Sequence, residues 1–322
     1  MTITTKSSFF DNTILSDYKS CPRKYFIRHQ LGWRSEGTAL PLVFGLSWHA
    51  GMDVVWQHSQ RLDRRTCADT AMAAFLEVWE EDGMPAELDV QQLENWAPRV
   101  PSVAHEMYVQ YIEKRWPMLR DAELLACEQP FAVPVPSMED VWYVGRLDKV
   151  VQFNGQRLVI EHKTTTEYKK DGGFKTDYIE GWYMDSQVKG YQFGGKLFFE
   201  GLDGVWVDAA LVHKTVHDAF RFVPIAHNNG MLSEWLADTR EWIRRVQADS
   251  ARFAADGKLF EGTFPKNEGY CYGKFGRCPY LDICRTVADP SQEPLPSGYM
   301  VEFWSPFDVL GLDKLITGAA HE

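Results

Sequence analysis

Apolar residues recur at helical spacing through the first third of the chain and at strand spacing from about Leu124 onward. The helical period predicts helices over Leu15–His29, Leu42–His58, Thr66–Glu81 and Val103–Leu119, separated by turn-rich text such as Asp82-Gly83-Met84-Pro85. Runs rich in Val, Phe and Trp predict strands over Glu128–Val135, Val141–Phe153, Gln156–Lys163, Val205–His213 and Phe220–Ile225. One helix, near Met184–Glu200, interrupts the strands, and a long amphipathic helix follows at Met231–Ala255. Lys258–Gly298 mixes Cys, Gly and Pro and predicts irregular structure, followed by an apolar tail around Val301–Leu315. No repeat and no low-complexity segment interrupts this order. Helices, then a small mixed sheet with a crossover helix, then helix and coil make an α/β or α+β fold with a helical elaboration. The expected segments are an N-terminal helix (1–40), a helical region (41–123), a sheet-bearing core (124–256), a cysteine-bearing segment (257–290) and a C-terminal tail (291–322).

Composition narrows the class. Hydrophobic residues make up 45% and charged residues 25% of the 322, which is enough for a buried core without disulfide staples. No stretch approaches the roughly 18 apolar residues of a membrane span. No apolar segment follows Lys6 near the start, so the expectation is a soluble intracellular protein without a secretory signal, its thiols reduced. Lys and Arg number 34 against 45 Asp and Glu, a net charge of −11. That balance argues against coating nucleic acid through bulk charge and leaves room for basic residues gathered in one groove. Six cysteines in a reducing compartment point to metal binding or plain burial.

The most informative text is Gly145-Arg146-Leu147-Asp148, then Asn154-Gly155, then Glu161-His162-Lys163. Asn-Gly between two apolar strand patterns predicts a two-residue hairpin turn, because both positions tolerate positive φ. That turn sets Asp148 opposite Glu161, with Cβ atoms about 4.5–5.5 Å apart. Lys163 shares their face one pleat further on, while Ile160 and His162 point the other way. Two adjacent carboxylates raise each other's pKa unless a cation lies between them. A divalent metal with oxygen ligands would relieve that repulsion, and a neighbouring Lys could place a water or stabilise charge on a phosphate. The spacing alone equally allows a surface Asp–Glu–Lys cluster balanced by its own lysine.

With these residues the sequence resembles the PD-(D/E)XK nuclease superfamily, whose core motif is an acidic residue, a hairpin and then Glu/Asp-x-Lys. Two further elements resemble its RecB-like branch: the helical His49 in Phe44-Gly45-Leu46-Ser47-Trp48-His49, and Gln187-Val188-Lys189-Gly190-Tyr191 after the core. Gln187 and Tyr191 lie one helical turn apart, so their polar tips share a face. The resemblance covers about Leu15 to Arg285 and implies a restriction-endonuclease-like core with a mixed sheet and a helical insertion. It implies metal-dependent phosphodiester hydrolysis, with Asp148, Glu161 and His49 on Mg²⁺ or Mn²⁺. A nitrogen ligand tilts the choice towards Mn²⁺. Lys163 would place or activate the water, and Gln187 and Tyr191 would orient the scissile strand. Glu128 reads as a solvated strand-end residue, with an outer-ligand role as the alternative.

Cys271, Cys278 and Cys284 have six and then five residues between them, unlike the Cys-x2–4-Cys pairs of zinc ribbons. Longer spacings suit a larger object such as a cubane held by four thiolates. They resemble the iron–sulfur members of the RecB-like nucleases, including CRISPR-associated exonucleases, in which one Cys precedes the core and three follow it. Cys21 in Ser20-Cys21-Pro22 matches the first ligand. The resemblance therefore implies a structural [4Fe-4S] cluster joining N- and C-terminal regions, with Zn²⁺ at the same four cysteines or unlinked cysteines as alternatives. Cys67 and Cys127 read as buried small apolar residues.

The cluster-bearing relatives act mostly on single-stranded DNA ends, which is the implied substrate. Arg23 and Lys24, with Arg28 and Arg34, form a basic N-terminal stretch, and Lys169, Lys170 and Lys175 a basic loop. Both carry aromatics, Tyr25, Phe26 and Trp33 in one and Tyr168 and Phe174 in the other, which suits a single-strand channel and equally allows a solvated basic loop. Helicase motifs are missing from the sequence, so unwinding would come from a helicase or recombination partner. The competing classes are a catalytically inactive nucleic-acid-binding scaffold and a zinc-stabilised interaction module.

Overall fold

The computed structural model describes residues 7–169, 173–259, 262–273 and 276–312. In chain order the main elements are β1 (Ser8–Phe10), α1 (Asn12–Ser20), α2 (Pro22–Tyr25), β2 (Trp33–Ser35), α3 (Leu40–His58), α4 (Arg64–Glu81), α5 (Val90–Trp96), α6 (Pro101–Asp121), β3 (Glu123–Pro134), β4 (Val141–Phe153), β5 (Gln156–Thr165), α7 (Thr176–Gly181), α8 (Ser186–Phe198), β6 (Leu202–Leu211), β7 (Phe220–Ile225) and α9 (Asn229–Asp256). No described helix is long and apolar enough to cross a membrane. The chain divides into two units. One gathers Met1–Glu36, Pro130–Gly145 and Asn228–Glu322; the other gathers Gly37–Gln129 and Arg146–His227.

The second unit carries the predicted hairpin. Asn154 and Gly155 adopt φ of 49° and 77°, the left-handed pair that a tight two-residue turn needs. The register that follows pairs Phe153 with Gln156 and runs to Lys149 opposite Ile160, so the next step sets Asp148 beside Glu161 as the turn predicts. β5 continues parallel to β6 after the crossover through α7 and α8, and β6 pairs antiparallel with β7. The sheet is therefore mixed, and β3 also pairs β4.

Helices α3, α4 and α6 pack one core against this sheet. Val43, Phe44, Trp48, Met52 and Val55 of α3 meet Phe75 and Trp79 of α4, Tyr108 and Tyr111 of α6, and Val151, Leu158 and Ile160 of the hairpin. Trp48 stacks on Tyr108 with centroids 4.4 Å apart, and the Tyr108 hydroxyl donates to the Trp48 carbonyl at 3.0 Å. The helical stretch that carries no motif thus forms the floor on which α3 and the hairpin are held.

In the first unit β1 runs parallel to the start of β4, with Ser8 against Val141. The helix predicted over Leu15–His29 is broken at Cys21, which is extended (φ −161°, ψ 109°) between α1 and α2. Pro22 explains the break: its ring pushes the preceding residue out of the helical region. After α2 the chain widens into π-type turns over Phe26–Gln30, closed by Leu31 N–H on the Phe26 carbonyl. β1, β2 and the partner of β2, the strand Tyr299–Val301, are three residues each and too short to show a period. The apolar tail gives that strand and a short helix, Pro306–Leu310. Its predicted continuation to Leu315 lies beyond the described residues.

Gly51 tests how tightly α3 is seated. A methyl there would collide with the Tyr108 hydroxyl and ring and come within 2.8 Å of the Ala71 carbonyl. Gly51→Ala is expected to lower unfolding stability by about 1–3 kcal/mol by urea titration, although Ala is the better helix former. A gain in stability would contradict this packing.

Candidate active site

Three elements of the second unit bring the predicted polar residues together. His49 projects from the middle of α3, Asp148 from β4, and Glu161 and Lys163 from β5. His49 Nδ1 lies 3.1 Å from Asp148 Oδ2, which also accepts the His162 backbone N–H at 2.9 Å. Lys163 Nζ lies 2.5 Å from Glu161 Oε1. The other oxygen, Glu161 Oε2, is buried and has no hydrogen-bond partner. On α8 the Gln187 amide donates to the Tyr191 hydroxyl at 2.7 Å. The N-cap of that helix, Asp185, adds to the field at Lys163. His162 turns to the opposite face of β5, towards Asp208 at 3.2 Å, which also accepts from the Tyr111 hydroxyl at 2.6 Å.

Burial and like charge divide the two carboxylates. Burial, and then the charge of Asp148, push Glu161 up to about 7. Burial acts in the same direction on Asp148, but His49, Lys149 and His162 outweigh it and hold the carboxyl well below the usual range. For His49 and Lys163 burial disfavours the charged form, and the neighbouring carboxylates reverse it, so both are raised. One carboxylate stays ionised while its neighbour sits near neutrality with an open oxygen.

A third carboxylate joins them. Glu128 sits within β3 with φ of 51°, a left-handed conformation that a non-glycine residue rarely adopts in a strand. One oxygen meets Arg146 Nε at 2.7 Å. A donor atom each from His49, Glu128 and Asp148 lie within 4.8 Å of one another, the one such His/Cys/Asp/Glu group among the described residues. Glu161, engaged by Lys163, is outside it. The strand period marked Glu128 as a polar position at a strand end, and residue type carries no sign of a left-handed φ.

The sequence matches the PD-(D/E)XK nuclease superfamily over residues 12–285, a span that includes every residue just described. The chain belongs to the PD-(D/E)XK nuclease superfamily. The mixed sheet and flanking helices agree with that fold. A crystal structure of a provisionally assigned exonuclease from Eubacterium rectale is similar in outline, with a TM-score of 0.49 and 14% identity over 96% of this chain and 98% of that one. No curated protein matches the sequence.

In this PD-(D/E)XK protein a second cluster of ligand-type residues lies in the first unit. Cys21, Cys271, Cys278 and Cys284 all line one cavity of about 740 Å³. Cys21 Sγ accepts the Asn267 N–H at 3.4 Å, and Cys278 N–H binds the Cys271 carbonyl at 2.9 Å. Cys284 follows on the short helix Leu281–Thr286. Burial raises the thiol of Cys278 and pushes that of Cys284 up to about 11. No three of these sulfurs fall within 4.8 Å of one another. Cys67 is buried in the core as expected, whereas Cys127 is half-buried and faces the Gln57 amide at 3.1 Å.

The basic stretch near the N-terminus is largely turned inward. Arg23 is buried and donates to the carbonyls of Phe264 and Ala288, at 3.0 and 2.8 Å. Its guanidinium satisfies backbone and is not presented to a phosphate, a correction to the expected basic face. Lys24 and Arg28 both pair with the buried Asp17, at 2.6 and 3.0 Å. In the loop after β5, Lys169 is exposed and Lys175 pairs with Glu167 at 3.5 Å; Lys170 lies outside the described residues.

The backbone of Glu128 gives a direct test. At an ordinary strand position Gly is weaker than Ala by roughly 0.5–1 kcal/mol. With φ at 51° the order should invert, and Glu128→Gly is expected to be more stable than Glu128→Ala by about 1 kcal/mol in urea unfolding. A more stable Ala variant would show that the strand has no left-handed residue there.

Proposed function

We propose that the chain is a divalent-metal-dependent DNA exonuclease acting on single-stranded ends, with a four-thiolate iron–sulfur cluster of structural role. The reading rests above all on the donor group of His49, Glu128 and Asp148 beside the Glu161–Lys163 pair. One imidazole and carboxylate oxygens suit Mn²⁺ or Mg²⁺. His49, Glu128 and Asp148 would hold the ion, and Glu161 would reach it through its orphaned Oε2. A divalent ion there supplies charge neutralisation at the phosphate and acidifies water.

The chain's own residues would do the rest. Lys163, held by Glu161, presents its ammonium to a phosphate oxygen and places the attacking water. Glu161 keeps the Lys163 ammonium charged and in place through Oε1. Gln187 and Tyr191, already joined, would align the strand to be cut. Single-strand preference is carried over from the resemblance to cluster-bearing RecB-like nucleases and suits the exposed Lys169 beside Tyr168. Recombination, repair or phage-type DNA processing beside a helicase partner is the proposed setting, inside the cell where thiols stay reduced.

Four thiols on one cavity fit a shared inorganic group. Around a single tetrahedral zinc the sulfurs would stand about 3.8 Å apart. The choice of a [4Fe-4S] cubane is carried over from the resemblance to the iron–sulfur RecB-like nucleases, whose cysteine spacing Cys271, Cys278 and Cys284 share. Such a cluster would close a loop from Cys21 to Cys284 and so restrict the unfolded chain.

The activity is tested on end-labelled single-stranded DNA with Mn²⁺, using anaerobically purified protein beside Lys163→Ala. Wild type should release label at least 100-fold faster than the variant. Equal rates, or no cleavage by either with the metal centres loaded, would overturn the nuclease reading for this substrate. For the cluster, wild type should carry about four irons per chain. Cys21→Ser should lose most of that iron together with the visible absorbance. Stoichiometric zinc in place of iron would contradict the assignment.

A further inference from the structure

Helix α3 carries more than His49. Asp53 and Gln57 follow at intervals of four, so His49, Asp53 and Gln57 form one polar seam along three successive turns. Each rung reaches a strand: His49 meets Asp148 at 3.1 Å, Asp53 meets Lys149 at 2.5 Å, and Gln57 meets Cys127 Sγ at 3.1 Å. The residues met are Asp148 with its neighbour Lys149 on β4, and the residue before Glu128 on β3. The seam therefore touches every element that supplies a donor atom to the His49–Glu128–Asp148 group. Its middle rung is the strongest. Lys149 has no exposed surface, and an ammonium so placed must keep a carboxylate partner. Asp53 is the partner, held at charge-assisted hydrogen-bond distance. Neither residue donates to the metal group itself.

We infer that the buried Lys149–Asp53 ion pair is a positioning clamp that fixes α3 on β4 and so sets the spacing of His49, Glu128 and Asp148 for a divalent cation. The inference rests on the metal-binding reading proposed above. It is not a claim about charge at the metal. A cation beside a metal group opposes metal binding electrostatically, so its removal alone would tighten the site. A clamp acts in the opposite sense, because loosening α3 spreads the donors.

The two senses separate in a Mn²⁺ titration followed by electron paramagnetic resonance, at fixed pH, on protein shown to be folded by circular dichroism. Lys149→Met removes the ammonium with little change of volume and leaves Asp53 able to reach water. Asp53→Leu/Lys149→Met replaces the pair by apolar groups and guards against a folding defect in the single variant. Both folded variants should bind Mn²⁺ at least tenfold more weakly, and Lys149→Arg should recover affinity to within threefold of wild type. Unchanged or tighter binding by a folded variant overturns the clamp while leaving the metal reading intact. Wild-type protein that binds no Mn²⁺ overturns the metal reading and the clamp with it.

Discussion

Asp148 and Glu161 stand on adjacent antiparallel strands with both carboxyl groups buried on one face. Two negative charges so placed repel strongly in a low-dielectric interior, and they persist only where cations or protons balance them. The second unit supplies both. His49 and Lys149 hold Asp148 ionised, while Glu161 rises to about 7 and leans on Lys163. Glu128, re-aimed by its left-handed backbone, adds a third carboxylate to the same small volume. Such a concentration of acid works against folding unless protons or cations balance it, and PD-(D/E)XK nucleases typically use divalent cations.

The rest of the second unit can be understood as the frame that holds this cluster. The hairpin turn fixes the register, and the register fixes which side chains face each other. Helix α3 lies on the aromatic floor of Trp48, Phe75, Tyr108 and Tyr111, with Gly51 allowing the close approach. Its apolar side anchors it there while its polar seam meets β3 and β4. Behind the polar face of β5 the buried Asp208 accepts from the Tyr111 hydroxyl and lies 3.2 Å from His162 Nδ1. In the first unit Cys21 meets Cys271, Cys278 and Cys284, about 250 residues further on, at one cavity.

Much of this was legible in the sequence because it depends on local rules. Asn154-Gly155 can hardly be anything but a hairpin turn, and from it the facing of Asp148 and Glu161 follows. The long helices α3, α4, α6 and α9 obey the 3.6-residue period, so their cores stand out. Gln187 and Tyr191 announce a shared face by their spacing. Other features depend on partners that no local rule reveals. Glu128 owes its aim to a backbone conformation that its residue type disfavours. Asp53 shows helical spacing to His49, but its partner Lys149 reads in sequence as an ordinary strand residue. Arg23 belongs to a basic run that looks solvent-facing, and its inward turn is decided by two distant carbonyls. The break at Cys21 was written in Pro22, and the helical period on either side concealed it.

Crystals soaked in Mn²⁺ test most directly whether a divalent cation sits among His49, Glu128 and Asp148. Anomalous difference maps should show one strong peak within coordination distance of all three side chains, with Glu161 Oε2 turned towards it. A peak elsewhere, or no peak at Mn²⁺ concentrations that support cleavage, would contradict the account.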